Sequence, residues 1–110
     1  MDSGISQEEY IRQVLEAYRK TPGTLGTVRR ADRLLAAQLY QRGLTLAAID
    51  NALVLAAARR LIRRADLPPL GTIRSLAYFL PVIEEVLESR VSPDYYNSLR
   101  HKLARIGASR

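Results

Sequence analysis

The stretch LAAIDNALVLAAARRLIRRAD, Leu46 to Asp66, decides the fold. It holds neither Gly nor Pro and is rich in Ala and Leu, the strongest helix formers. Thr45 precedes it as an N-cap, and Gly43 stands just before as the natural end of an earlier helix. At about 100° per residue, Ile49, Leu53, Ala56 and Ala57 share one side, and Val54, Ala58, Leu61, Ile62 and Ala65 another. Few polar residues interrupt the middle, so the spacing predicts a central helix over 46–65, touched by neighbours on several sides. Its last two turns change character. Arg59, Arg60, Arg63 and Arg64 cover one broad face while Leu61, Ile62 and Ala65 hold the other. One helix would thus anchor the core and present four guanidinium groups.

Toward the N-terminus, Thr27 is positioned to cap a helix from about Val28 to Arg42. Its expected apolar stripe is Val28, Ala31, Leu34, Leu35, Gln38 and Leu39, with Arg29, Arg30 and Arg33 pointing mostly away. Earlier still, Ser6 and Glu9 read as a capping box, with Ile5 and Tyr10 in the staple positions. That first helix carries Tyr10, Ile11, Val14, Leu15 and Tyr18 on one stripe and stops at Thr21-Pro22-Gly23. Arg19 and Lys20 in its last turn suit the helix dipole.

Toward the C-terminus, Leu67-Pro68-Pro69-Leu70-Gly71 enforces a loop. A fourth helix starts at Thr72 or Ser75, and Pro81 must kink it or divide it between Tyr78 and Val82. Its stripe should pack on the central helix, leaving Glu84, Glu85 and Glu88 as an acidic outer face. Ser92-Pro93-Asp94 is the clearest helix start in the chain: a cap, a proline at the first position, then an acid. The fifth helix runs to about Ile106, with Tyr96, Leu99, Leu103 and Ile106 spaced for one face. The expectation is an all-α single domain over 1–110, a compact bundle of four to five helices around 46–65, with loose ends at about 1–5 and 107–110.

Composition narrows the function. The chain has 110 residues, a formal net charge of +6, no Cys and no Trp. It therefore offers no disulfide framework, thiolate zinc site or Cys nucleophile. No run reaches the ~18 apolar residues of a membrane span, and the polar start is unlike a signal peptide, so a cytoplasmic protein is expected. His101, the sole His, lies on a basic polar helix face without a ligand partner at i+4. Glu84, Glu85 and Glu88 read as a solvated face rather than a metal site. No Gly-rich phosphate loop follows a strand. The expectation is a non-enzyme without metal or cofactor.

The positive balance suits an anionic partner, and arginine, which supplies nearly all of it, matches phosphate and base edges. The competing explanation is codon bias, since Ala, Leu and Arg rise together in GC-rich genomes. From Arg19 through Ala65 there are ten basic residues, and Asp32 and Asp50 are the only acids. Arg59, Arg60, Arg63 and Arg64 form the densest cluster, and Arg29, Arg30 and Arg33 add to it. The order of readings for this cluster is phosphate contact, then an acidic protein partner, then a solvated face.

Residues 37–45 followed by Ile49 and Leu53 have the outline of a helix-turn-helix: a small residue, Gly in the turn, a polar cap, apolar residues four apart. Against it, the recognition position reads Leu46-Ala47-Ala48-Ile49, with only Asp50 and Asn51 polar. Read further, Gly43-Leu44-Thr45, Ile49, Ala52-Leu53, Ala56 and then Ile73-Arg74-Ser75-Leu76-Ala77-Tyr78-Phe79 with Ile83 resemble the DnaD-like helical domain of bacterial and phage primosome proteins. The resemblance covers roughly residues 34–88. It implies DNA binding and a part in assembling replication machinery. Departures are the long Pro68-Pro69 loop, Pro81 within the last helix and the absence of a terminal Trp. The first functional expectation is a small nucleic-acid-binding accessory protein of a replication, mobile-element or defence system, with DNA ahead of RNA. The second is a helical interaction module or subunit, with a protein partner or a second copy docked through the acidic face of helix 4.

Overall fold

A computed structural model describes residues 5–62, 66–68, 70–89 and 92–108, with side chains through Arg105. The order is α1 (Gln7–Lys20), α2 (Arg30–Gln41), α3 (Leu46–Leu61), a 3-10 turn (Leu76–Phe79), α4 (Leu80–Glu88) and α5 (Pro93–Ala108). No strand forms among the described residues; a lone parallel bridge joins Thr24 to Ile73. The all-α bundle around a central helix is what the sequence predicts.

α3 is central because its surface is small and apolar nearly all round. Ile49, Ala52, Leu53 and the run Leu55–Ala58 are buried, and α1, α4, α5 and the 3-10 turn pack on it. The main core joins Tyr10, Val14 and Tyr18 of α1 to Ala36 and Leu39 of α2, and to Ile73, Leu76, Phe79 and Ile83. A second cluster sets Leu55 and Ala58 against Tyr96 and Leu99 of α5, and Val82 and Val86 touch both. The fifth helix therefore packs on the bundle as its spacing predicts.

The helix ends follow local chemistry. Ser6 Oγ accepts the Glu9 amide at 3.1 Å. The other half of the expected capping box is absent, because Arg12 and Gln13 take the Glu9 carboxylate. Thr45 Oγ1 accepts the Ala48 amide at 3.1 Å. Between α2 and α3, Gly43 has φ +79°, a conformation that costs a residue with Cβ. It lets the Gly43 amide donate to Tyr40 O and the Leu44 amide to Leu39 O, so the last carbonyls of α2 are satisfied. Pro81 divides the fourth helix as expected. The 3-10 turn precedes it, and Pro81 falls in the first turn of α4, where an amide hydrogen would have no intrahelical partner.

Three expectations are corrected. α2 starts at Arg30, not near Val28, and Thr27 does not cap it; the Asp32 carboxylate instead reaches back to the Arg29 amide at 2.9 Å. The stripe of α2 is rotated. Asp32, Ala36 and Leu39 are buried, whereas Ala31, Leu34 and Gln38 are exposed. The cause is Asp32, whose second oxygen accepts the buried Leu76 amide at 2.9 Å and turns that side of the helix inward. Finally, α3 ends at Leu61 with Ile62 as its C-cap, not near Asp66. Ile62 is 66% exposed and lies outside the core, and residues 63–65 of the expected span lie outside the described residues.

Candidate nucleic-acid interface

Of the cluster expected on α3, the two described members, Arg59 and Arg60, are each engaged within the fold. Arg59 donates both terminal nitrogens to the Glu85 carboxylate on α4, which raises the guanidinium pKa and lowers that of Glu85 through the same hydrogen bonds. Arg60 donates to Gly71 O at 2.7 Å and to Tyr78 Oη at 3.2 Å, and its guanidinium lies 5.7 Å from the Tyr78 ring centroid. A Cβ on Gly23 would meet Arg60 Nε at 3.0 Å. Arg60 thus ties the end of α3 to the 71–78 segment and passes beside Gly23, where backbone bonds from Ile73 N to Gly23 O and from Leu25 N to Ile73 O join the two loops. Arg63 and Arg64 lie outside the described residues. The apolar backing expected from Leu61 and Ile62 is likewise weak, since Ile62 faces solvent.

Pairing also consumes cations elsewhere. Arg12 pairs with Glu9, Arg19 and Lys20 with Glu16, Arg42 with Glu84, and Arg100 with Asp50. Helix 4 is therefore less acidic outside than its sequence implies, because Arg42 and Arg59 cover Glu84 and Glu85.

Among the described residues the start of α2 is left without ion pairs, as is the exposed Lys102 of α5. Arg29, Arg30 and Arg33 are exposed and form no ion pair among the described residues. Arg74, also exposed and without an ion pair there, was not singled out by the sequence. It lies between Ile73, bound to the 23–25 loop, and Leu76, bound to Asp32. Asp32 is the one acid of α2, and it is 1% exposed with both oxygens engaged by backbone amides. Its negative charge is thereby withdrawn from the outer face, where it offsets the positive end of the helix dipole from within. The buried Tyr18 phenol has no hydrogen-bond partner among the described residues. Burial pushes its pKa up, the Asp32 charge adds to this and Arg29 opposes it.

The helix-turn-helix outline does not make α3 a reading helix. Ile49, Ala52 and Leu53 are core residues. The exposed helix of that pair is α2, whose outer side carries Arg30, Arg33, Leu34, Gln38 and Gln41. Comparison with protein-family models, with curated proteins and with solved structures finds no match for this chain. No helix among the described residues is long and apolar enough to cross a membrane.

Proposed function

We propose that the protein is a non-catalytic nucleic-acid-binding accessory protein whose contacts to the phosphate backbone centre on Arg29, Arg30, Arg33 and Arg74. The observation that carries this is the exposure of Arg29, Arg30 and Arg33 at the start of α2, and of Arg74 two residues before Leu76, without an ion pair among the described residues. Guanidinium forks suit phosphate oxygens. The DnaD-like resemblance of residues 34–88 points the same way, toward DNA and replication machinery. Four such contacts give a slope of log affinity against log salt of about −3 to −4. Affinity should then fall roughly 50- to 150-fold between 50 and 200 mM salt. Retention of the full chain on DNA and heparin over a salt series, with molecular mass in solution, tests this; salt-independent or absent retention counts against it.

A second reading, a subunit of a larger assembly, draws on Ile62, Leu67, Leu70 and Tyr78, all more than 40% exposed at the end of α3 and in the segment beyond. Exposed apolar side chains gathered in one region favour protein contact. A mass above the monomer without nucleic-acid retention would put this reading first.

A further inference from the structure

Beyond its arginine-rich start, α2 has an outer face that phosphate contact alone does not use. Its exposed positions Leu34, Gln38 and Gln41 follow the i, i+4, i+7 spacing of one helix face. Arg30 lies one turn earlier on the same side. Gln side chains match the N6 and N7 edge of adenine, and an apolar side chain matches the thymine methyl. Leu34 is 55% exposed, an unusual cost on a helix whose opposite side is well packed by Ala36 and Leu39. α2 itself places no carboxylate on this face, since its one acid, Asp32, is buried; Glu84 of α4 reaches only the end of the helix, where it is paired with Arg42. The ridge from Leu34 to Gln41 spans about 10 Å along the axis, close to three base steps of duplex DNA.

We infer that α2 is a base-reading helix for duplex DNA. The uncharged residues Leu34, Gln38 and Gln41 lie against base edges in the major groove, and the arginines at the helix start hold the flanking backbone. The helix divides its work by position: charge at the start supplies affinity, and neutral side chains further along supply preference. This rests on the nucleic-acid reading above and extends it from phosphate contact to sequence choice and to the duplex form.

The test is selection of bound sequences from a random duplex library by the full chain, followed by binding isotherms for wild type, Gln38→Ala/Gln41→Ala and Gln41→Ala. The expected result is an enriched core of about three base pairs containing A·T pairs. The double variant should bind that core at least ten times more weakly, in line with the usual discrimination of bidentate contacts. Its affinity and salt slope on unrelated duplexes should match wild type, since no charge is removed. Both glutamines are exposed, so melting temperatures should be unchanged; Gln41→Ala alone should show the same direction with a smaller loss. Salt-steep binding without an enriched core, a core still preferred by the double variant, or tighter binding to single strands or RNA overturns this inference and leaves the phosphate-contact reading standing. Failure to retain any nucleic acid overturns both.

Discussion

Asp32→Ala should be among the most damaging single changes in the protein, and its cost can be worked from two bonds. One carboxylate oxygen accepts the Arg29 amide and the other the Leu76 amide, each at 2.9 Å. Leu76 is fully buried, so its amide would be left without an acceptor, a loss of about 1–3 kcal/mol. Removing the acceptor at the start of α2 costs about 0.5–2 kcal/mol more. Recovered desolvation of the buried charge offsets part of this, leaving a net destabilisation of about 1–4 kcal/mol. In a chain of this size that is a fall of roughly 4–20 °C in melting temperature. Denaturant unfolding with an unchanged m-value would measure it, and hydrogen exchange at the Leu76 amide would localise it. Asp32→Asn keeps one carbonyl oxygen but sets an amide donor against the second N–H, so it should fall between wild type and Asp32→Ala. Asp50→Ala, which removes a half-exposed partner of Arg100, should cost no more than about 1 kcal/mol. Equal stability of Asp32→Ala and wild type would refute the role of Asp32 as the tie between α2 and the 3-10 turn.

Other outcomes follow from the same contacts. Leu99→Ala should cost about 2–5 kcal/mol as a buried leucine truncation, and Leu103→Ala less because Leu103 is only half-buried; equal losses in denaturant melts would contradict this packing of α5. Gly23→Ala should destabilise by roughly 1 kcal/mol or more, because Gly23 has φ +92° and its Cβ would press on Arg60; an unchanged melting temperature would show that the Arg60 clasp is not held in solution. The Glu9 carboxyl, lowered to about 2 first by the Arg12 hydrogen bond and then by that from Gln13, should titrate in NMR with a midpoint near that value. A depressed folded-state pKa means that the pair's contribution is present above the usual carboxylate pKa and is lost as pH falls through about 2. A midpoint at the ordinary value would show the pair to be absent.

The features legible in the sequence are those written within a few residues. Ser6 and Thr45 cap amides three positions on, Gly43 turns the chain where it stands, and Pro81 can be accommodated only near a helix start. The centrality of α3 was legible because an Ala- and Leu-rich surface has few ways to meet water. What was not legible depends on partners distant in the chain. Asp32 looks like an exposed acid until Leu76, 44 residues on, supplies its amide; that bond rotates α2 and exposes Leu34 and Gln38. Arg59 and Arg60 look like free cations until Glu85 and Gly71 arrive, 26 and 11 residues away. Charge counted along the chain therefore does not show that Arg59 and Arg60 are engaged within the fold, while Arg63 and Arg64 lie outside the described residues. Arg29, Arg30 and Arg33 were legible as candidates, but their lack of ion pairs among the described residues was not.

The most direct measurement compares the salt dependence of DNA binding for wild type and Arg30→Gln/Arg33→Gln. Gln keeps helix propensity close to that of Arg, and both positions are exposed without ion pairs among the described residues, so folding should be unaffected. Two lost phosphate contacts should flatten the slope of log affinity against log salt by about 1.4–1.8, nearly equally on unrelated sequences. Arg59→Gln, which breaks a pair with Glu85, should leave the slope close to wild type. A slope unchanged in Arg30→Gln/Arg33→Gln, or reduced as much by Arg59→Gln, would contradict the assignment of the interface to the start of α2.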